Sequence, residues 1–143
     1  MGFVLNRPTG QTLGEVVVQP VEEDLQSVKL HYGGPVGQDE VTLVSLQWSE
    51  SPSSVSFQSL SASFDQADSL SLDGENLLAF IGYAGWSKGQ LEREIAQNAW
   101  LVVQPTKDLV YIQDPEQVWH DVMQSYGPLL RLLAKAPDRP DLN

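Results

Sequence analysis

The sequence predicts an α+β protein: one domain in which short strands and short capped helices are mixed along 143 residues. Three observations lead there. Leu77 to Tyr83 is an apolar run of seven residues, the length of a buried strand and too short for a helix of the same character. Val28, Leu30 and Tyr32 alternate with Lys29 and His31, the period of a half-buried strand. Ser87 to Gln90 and Asp114-Pro115-Glu116-Gln117 each carry a helix start: a capping side chain followed by a residue that reaches back, or by proline at the first helical position. A chain of this length buries enough surface for one real core.

From the start, Gly2 to Leu5 reads as a short strand, and Asn6-Arg7-Pro8 turns it because proline pushes the residue before it away from helical angles. Thr12 and Glu15 form a second capping box, so Leu13 to Val18 should hold a helical turn or two. The acidic segment Val21 to Ser27 reads as loop. The strand through Val28, Leu30 and Tyr32 then places His31 on its polar side, where a lone histidine is a solvated or hydrogen-bonded residue rather than a catalyst. Gly33-Gly34-Pro35 ends that strand and Val41 to Trp48 begins another. Ser49 to Ser63 holds eight serines and one proline, yet Val55, Phe57 and Leu60 within it favour an irregular edge strand between loops over a linker. Phe64 to Asp73 reads as a short helix.

Phe80 to Leu101 is the densest run of structurally demanding residues. After the Leu77–Tyr83 strand come Gly82 and Gly85, which permit close backbone approach, and then a helix capped by Ser87 that should run about three turns to near Asn98. Leu91 and Ile95 share one face of it; Glu92, Arg93 and Gln97 lie around the other side. Trp100 to Val103 restarts a strand that Pro105 stops. Leu109 to Ile112 is a further strand. Past Asp114, the residues Val118, Trp119, Val122, Met123 and Tyr126 form a core stripe on a helix, with His120 off it. Leu129 to Ala136 reads as a second apolar helix, and residues 137–143 as a frayed tail after a domain spanning residues 1–136.

Three segments stand out: Met1-Gly2-Phe3-Val4-Leu5-Asn6-Arg7-Pro8, Gly33-Gly34-Pro35-Val36, and the run Gly82-Tyr83-Ala84-Gly85-Trp86, Gly89-Gln90-Leu91-Glu92 with Glu94, and Asn98-Ala99-Trp100-Leu101. In content and in order they resemble the signature of the bacterial AlgH/YqgE family. The resemblance implies a compact domain whose sheet is mixed, mostly antiparallel and partly closed, a pseudo-barrel with a few packed helices. It implies little about activity, because the family's label as transcriptional regulators is not a mechanism. Members carry some tens of residues before the first segment, so the family's early strands are expected to be missing here. Where members often have a Leu-His pair after the glycine turn, this chain offers Val44-Ser45.

Composition bounds function. Eight basic against nineteen acidic residues give a net charge of −11, and the basic ones are scattered. Direct nucleic-acid binding, which needs a basic face to neutralise phosphates, is disfavoured. The acidity suits solubility or attraction to a basic partner. There are no cysteines, which excludes thiolate chemistry and fits a reducing cytoplasm. No apolar run approaches the roughly 18 residues of a membrane span.

Tests for an enzyme mostly fail. No nucleophile elbow, dinucleotide fingerprint or metal-ligand spacing is present, and Glu92 and Glu94, two apart on a helix, point in different directions. No catalytic residue, cofactor or metal is expected. The first reading is a regulatory or protein-interaction module using Tyr83, Trp86, Lys88 and Gln90, with Asn6 and Arg7, against an unidentified protein partner; oligomeric state is left open. The second is a small-molecule or anion-binding protein, even an enzyme, using the Gly85–Gly89 turn beside Lys88. For the turn itself, a tight strand-to-helix corner with Trp86 packed over it is the simpler reading.

Overall fold

The computed structural model describes residues 1–18, 20–61, 77–112 and 114–125. Along them run β1 (Pro8–Thr12), α1 (Leu13–Val16), α2 (Glu23–Gln26), β2 (Lys29–Tyr32), β3 (Val36–Glu50), β4 (Ser53–Ser61), β5 (Leu77–Tyr83), α3 (Gln90–Ala96), α4 (Lys107–Val110) and α5 (Gln117–Ser125). The expected helices at 64–73 and 129–136, the stripe residue Tyr126 and the tail at 137–143 lie outside the described residues.

The strands form one five-stranded sheet in the order β1-β2-β5-β3-β4. Three pairings are antiparallel and one, β2 with β5, is parallel. This is the α+β class the sequence predicts. Among the described residues no pairing joins β1 to β4, so the sheet is open, where the resemblance had implied partial closure. β5 spans Leu77–Tyr83, the span expected from its apolar run. Its burial explains why that run does not alternate: a strand in mid-sheet, covered on both faces, has no polar side to show.

The two faces carry separate clusters. On one, Leu13 of α1 and Leu25 of α2 pack with Val28, Leu30, Leu43, Leu77 and Ala79. On the other, Val44, Leu46, Phe80 and Val110 of α4 pack with Phe3, Leu5, Trp48 and Tyr111. Phe80 is fully buried and stacks on Phe3 with ring centroids 4.8 Å apart. The residues Gly2 to Leu5 therefore supply a covering layer rather than a ladder strand. They hold to the sheet by the Gly2–Ala84 bridge and by Val4 N–H donating to the Gly33 carbonyl at 3.0 Å.

Several expectations are corrected. His31 does not face solvent: it is buried, its ring tilted against Phe80 at 5.6 Å, because both faces of β2 are covered. Val21–Ser27 is not all loop. Leu25 must reach the first cluster, and α2 is the turn that puts it there. Ser53–Ser61 is a regular edge strand, in unbroken register with β3 from Thr42↔Ser61 to Glu50↔Ser53. Leu109–Ile112 is not a strand. Thr106 accepts from Leu109 N–H, and the α4 turn delivers Val110 to the core. Trp100–Val103 forms no strand either, and Trp100, Leu101 and Val102 are exposed. On α5, Met123 is buried but Trp119, expected in the core, is 60% exposed.

Two glycine segments cross where β2 ends beside β5. Gly33 N–H donates to the Ile81 carbonyl at 2.8 Å. A Cβ on Gly33 would overlap the Gly82 carbonyl oxygen, and one on Gly82 would overlap the Gly34 carbonyl oxygen and stand 2.8 Å from that of Val36. Gly82 also sits at φ +66, which favours glycine. The Gly33-Gly34 turn and the Gly82 segment are thus one feature: two backbones in contact with no room for a side chain between them.

Candidate functional site

Beyond Tyr83 the chain leaves the sheet and turns a corner into α3. Tyr83 packs its ring over Gly37 and Gly85, and Trp86 lies against Gly2. The Ser87 cap forms by half. Gln90 Oε1 accepts from Ser87 N–H at 3.0 Å, but the Ser87 hydroxyl bonds the same oxygen at 3.1 Å instead of accepting from the backbone. The helix accordingly starts at Gln90, with Gly89 at φ +74 before it, and ends after two turns, short of the left-handed Asn98 at φ +57.

Glu94 is the centre of this corner. Its Oε2 accepts from the indole N–H of Trp86 at 3.0 Å and of Trp100 at 2.8 Å, and its Oε1 from the Gln90 amide at 2.8 Å. The two indoles meet edge to face at 5.7 Å. The Trp100 indole, then the Gln90 amide, hold the Glu94 carboxyl below the ordinary carboxylate range. A carboxylate with three donors is a structural acceptor, poorly disposed to take a proton. This accounts for Trp100 outside any strand: its indole ties the segment after α3 back onto that helix. Sequence reasoning weighed Glu94 only as half of a carboxylate pair with Glu92 and placed Trp100 in a strand, so the bond between them was missed. The signal available was spacing, since Glu94 lies four residues after Gln90 on one helical face.

A second feature stands apart from the corner. Asn6, Arg7, Pro8 and Thr9 from the turn into β1, Tyr32 at the end of β2, and Asp114, Pro115, Glu116 and Trp119 from the start of α5 line an open groove of about 830 Å³. Local chemistry sets its walls. Asp114 Oδ1 accepts from Glu116 N–H at 3.0 Å and Gln117 N–H at 3.4 Å, the cap expected there, which fixes the start of α5, and Trp119 in the first turn is exposed. The Arg7 guanidinium stands 6.0 Å from the Tyr32 ring centroid, and the Tyr32 hydroxyl accepts from the Gln38 amide at 3.0 Å. Two carboxylates and one guanidinium make the groove net acidic.

The six residues singled out from sequence are divided between these places. Asn6 and Arg7 line the groove. Tyr83, Trp86 and Gln90 are half-buried in the corner, Lys88 is exposed on its turn, and none of the four lines the groove. Tyr32, Asp114, Glu116 and Trp119 went unmarked as site residues, because nothing in one chain reveals that segments so far apart meet. Among the described residues no group of three or more histidines and carboxylates is placed to hold a metal ion, and no helix is long and apolar enough to cross a membrane.

Comparison with known proteins agrees with the fold. Residues 1–131 match the AlgH-like family. A UPF0301 protein of Thermobifida fusca is 34% identical over 157 aligned positions, covering all of this chain and 79% of that protein. One of Shewanella loihica is 34% identical over 137 positions, covering 89% and 74%. The solution structure of the AlgH protein from Pseudomonas aeruginosa superposes with a TM-score of 0.61 at 27% identity, over 97% of this chain and 78% of that one. The match over residues 1–131 and these relatives lead to one conclusion: the chain belongs to the AlgH-like family of bacterial proteins.

Proposed function

We propose that this protein is a regulatory protein-interaction module of the bacterial cytoplasm, and that it holds a cationic segment of a partner protein in the groove between Arg7 and Trp119. The observation that carries the reading is the composition of that groove. An exposed tryptophan, a tyrosine beside an arginine, and two prolines give the rigid aromatic surface on which protein contacts concentrate. Asp114 and Glu116 outnumber the single guanidinium, and the whole protein carries −11, so a positive partner is steered toward it. The lack of cysteines suits the reducing compartment. The second reading, an anion on the Gly85–Gly89 turn, draws less support, since Ser87 N–H is already engaged by Gln90.

The test is a screen of the full chain against extended peptides that differ in charge. Basic peptides should bind, more weakly as salt rises. Trp119→Ala should weaken them by about 2 kcal/mol, roughly thirtyfold, without changing the unfolding midpoint. Equal retention of acidic and basic peptides, or binding that ignores Trp119→Ala, would refute the proposal.

A further inference from the structure

We propose that the β4 edge is the contact surface of a two-fold dimer, in which a second copy of this chain lays its own β4 antiparallel along the first. β4 ends the sheet, and among the described residues it pairs with β3 alone, over nine consecutive positions without a bulge. Its outer side is therefore a straight row of backbone donors and acceptors, the template onto which another strand adds. The opposite edge is blunted. β1 begins with Pro8, carries Gly10 at φ +82 and breaks register with β2. β4 has no proline, no charged residue and no register break.

Charge and symmetry select the occupant. A chain of net charge −11 repels its own copies over most of its surface. No charged residue stands between Glu50 and Asp65, the longest uncharged stretch in the sequence, and β4 lies within it. The strand is centred on Phe57. A two-fold axis through that residue pairs Ser53 with Ser61, Ser54 with Leu60, Val55 with Ser59, Ser56 with Gln58, and Phe57 with itself. Every position is then matched and the aromatic meets its own copy.

The faces agree as well. Phe57 lies opposite Leu46 and Val55 opposite Trp48, so both project on the side of the Phe80 cluster. There they are left 63% and 39% exposed at the rim of an otherwise covered apolar face. An axis perpendicular to the sheet keeps that face on the same side in both copies. The apolar surface then runs on from one to the other.

Sedimentation of the full chain should show a dimer at tens of micromolar. Phe57→Lys should weaken it at least tenfold with the fold intact, and mixing Phe57→Lys with Phe57→Glu should restore a heterodimer. Because the chain has no cysteine, Phe57→Cys adds a clean reporter that serves even if Phe57→Lys fails to fold. Facing residues across an antiparallel pair have Cα atoms about 4.5–5.5 Å apart, within disulfide reach, so mild oxidation should link two copies. Ser54→Cys should not link, since its two copies would be separated by roughly 20 Å. A monomer at every concentration, a dimer indifferent to Phe57→Lys, equal linking by Ser54→Cys, or a monomer that takes an unrelated strand on β4 instead would each overturn the proposal.

Discussion

Gly82→Ala is expected to be among the most damaging single-methyl additions in this protein, and the reason can be apportioned. At φ +66 an alanine costs about 1–2 kcal/mol in the left-handed region. The new Cβ would overlap the Gly34 carbonyl oxygen and stand 2.8 Å from that of Val36, so β5 must move away from the Gly33–Val36 segment. That movement lengthens the 2.8 Å bond from Gly33 N–H to the Ile81 carbonyl, a loss of about 1 kcal/mol. It also disturbs Phe80, two positions back on β5 and fully buried, at the cost of about 1–3 kcal/mol typical of overpacking. The sum is about 3–6 kcal/mol, a large part of the stability of a domain this size. Gly10→Ala is the control. Gly10 sits at φ +82 with nothing within 4 Å of the added carbon, so only the first cost of about 1–2 kcal/mol applies. Urea unfolding of both variants, compared at a common slope, should place Gly82→Ala about 2–4 kcal/mol below Gly10→Ala. A gap under about 1 kcal/mol would refute the claim that the two glycine segments are in hard contact.

Three other outcomes are expected. Burial lowers the His31 pKa below the ordinary 6.5, so the folded state holds the ring neutral while the unfolded chain takes up a proton. Its contribution is whole above pH 6.5 and declines as pH falls below it, at no more than about 1.4 kcal/mol per pH unit for one proton; His31→Phe should flatten the urea midpoints between pH 7.5 and 5.5, and parallel profiles would count against this. The Glu94 carboxyl titrates below its ordinary 4.5, so the indole N–H resonances of Trp86 and Trp100 should hold their positions as pH drops through that value and shift only further down. Glu94→Ala should move both resonances at neutral pH and speed their exchange with water, and a change at one tryptophan alone would contradict a shared acceptor.

What the sequence disclosed was local. The Asp114 cap, the Thr12–Glu15 box, in which Glu15 accepts from Thr12 N–H at 2.7 Å, and the span of β5 depend on neighbours a few residues away. The errors arise where tertiary contacts decide. The alternation around His31 describes a strand with one wet face, but β2 lies between β1 and β5 with both faces covered. Leu109–Ile112 and Trp100–Val103 are short apolar runs that a strand, a helical turn or a tethered loop could equally use. Thr106 makes the first a turn, and the bond from Trp100 to Glu94 makes the second a loop. Trp119 has the spacing of a core residue, four before the buried Met123, but it lies in the first turn of α5, where it is exposed and lines the groove. The groove was illegible for a simpler reason: its walls come from three distant parts of the chain, and only the fold brings them together.

The position of β5 bears on how this protein comes into being. In the folded chain the strands before β5 form two antiparallel pairs, β1 with β2 and β3 with β4, and among the described residues no ladder joins the pairs directly. β5 inserts between the two, parallel to β2 and antiparallel to β3, and brings Phe80 and Ala79 to the two clusters at once. Residues 1–61 therefore contain two strand pairs without the strand that joins them. A chain ended at Ser61 is expected to lack a cooperative unfolding transition by circular dichroism, and one observed there would show that the halves assemble without their shared strand.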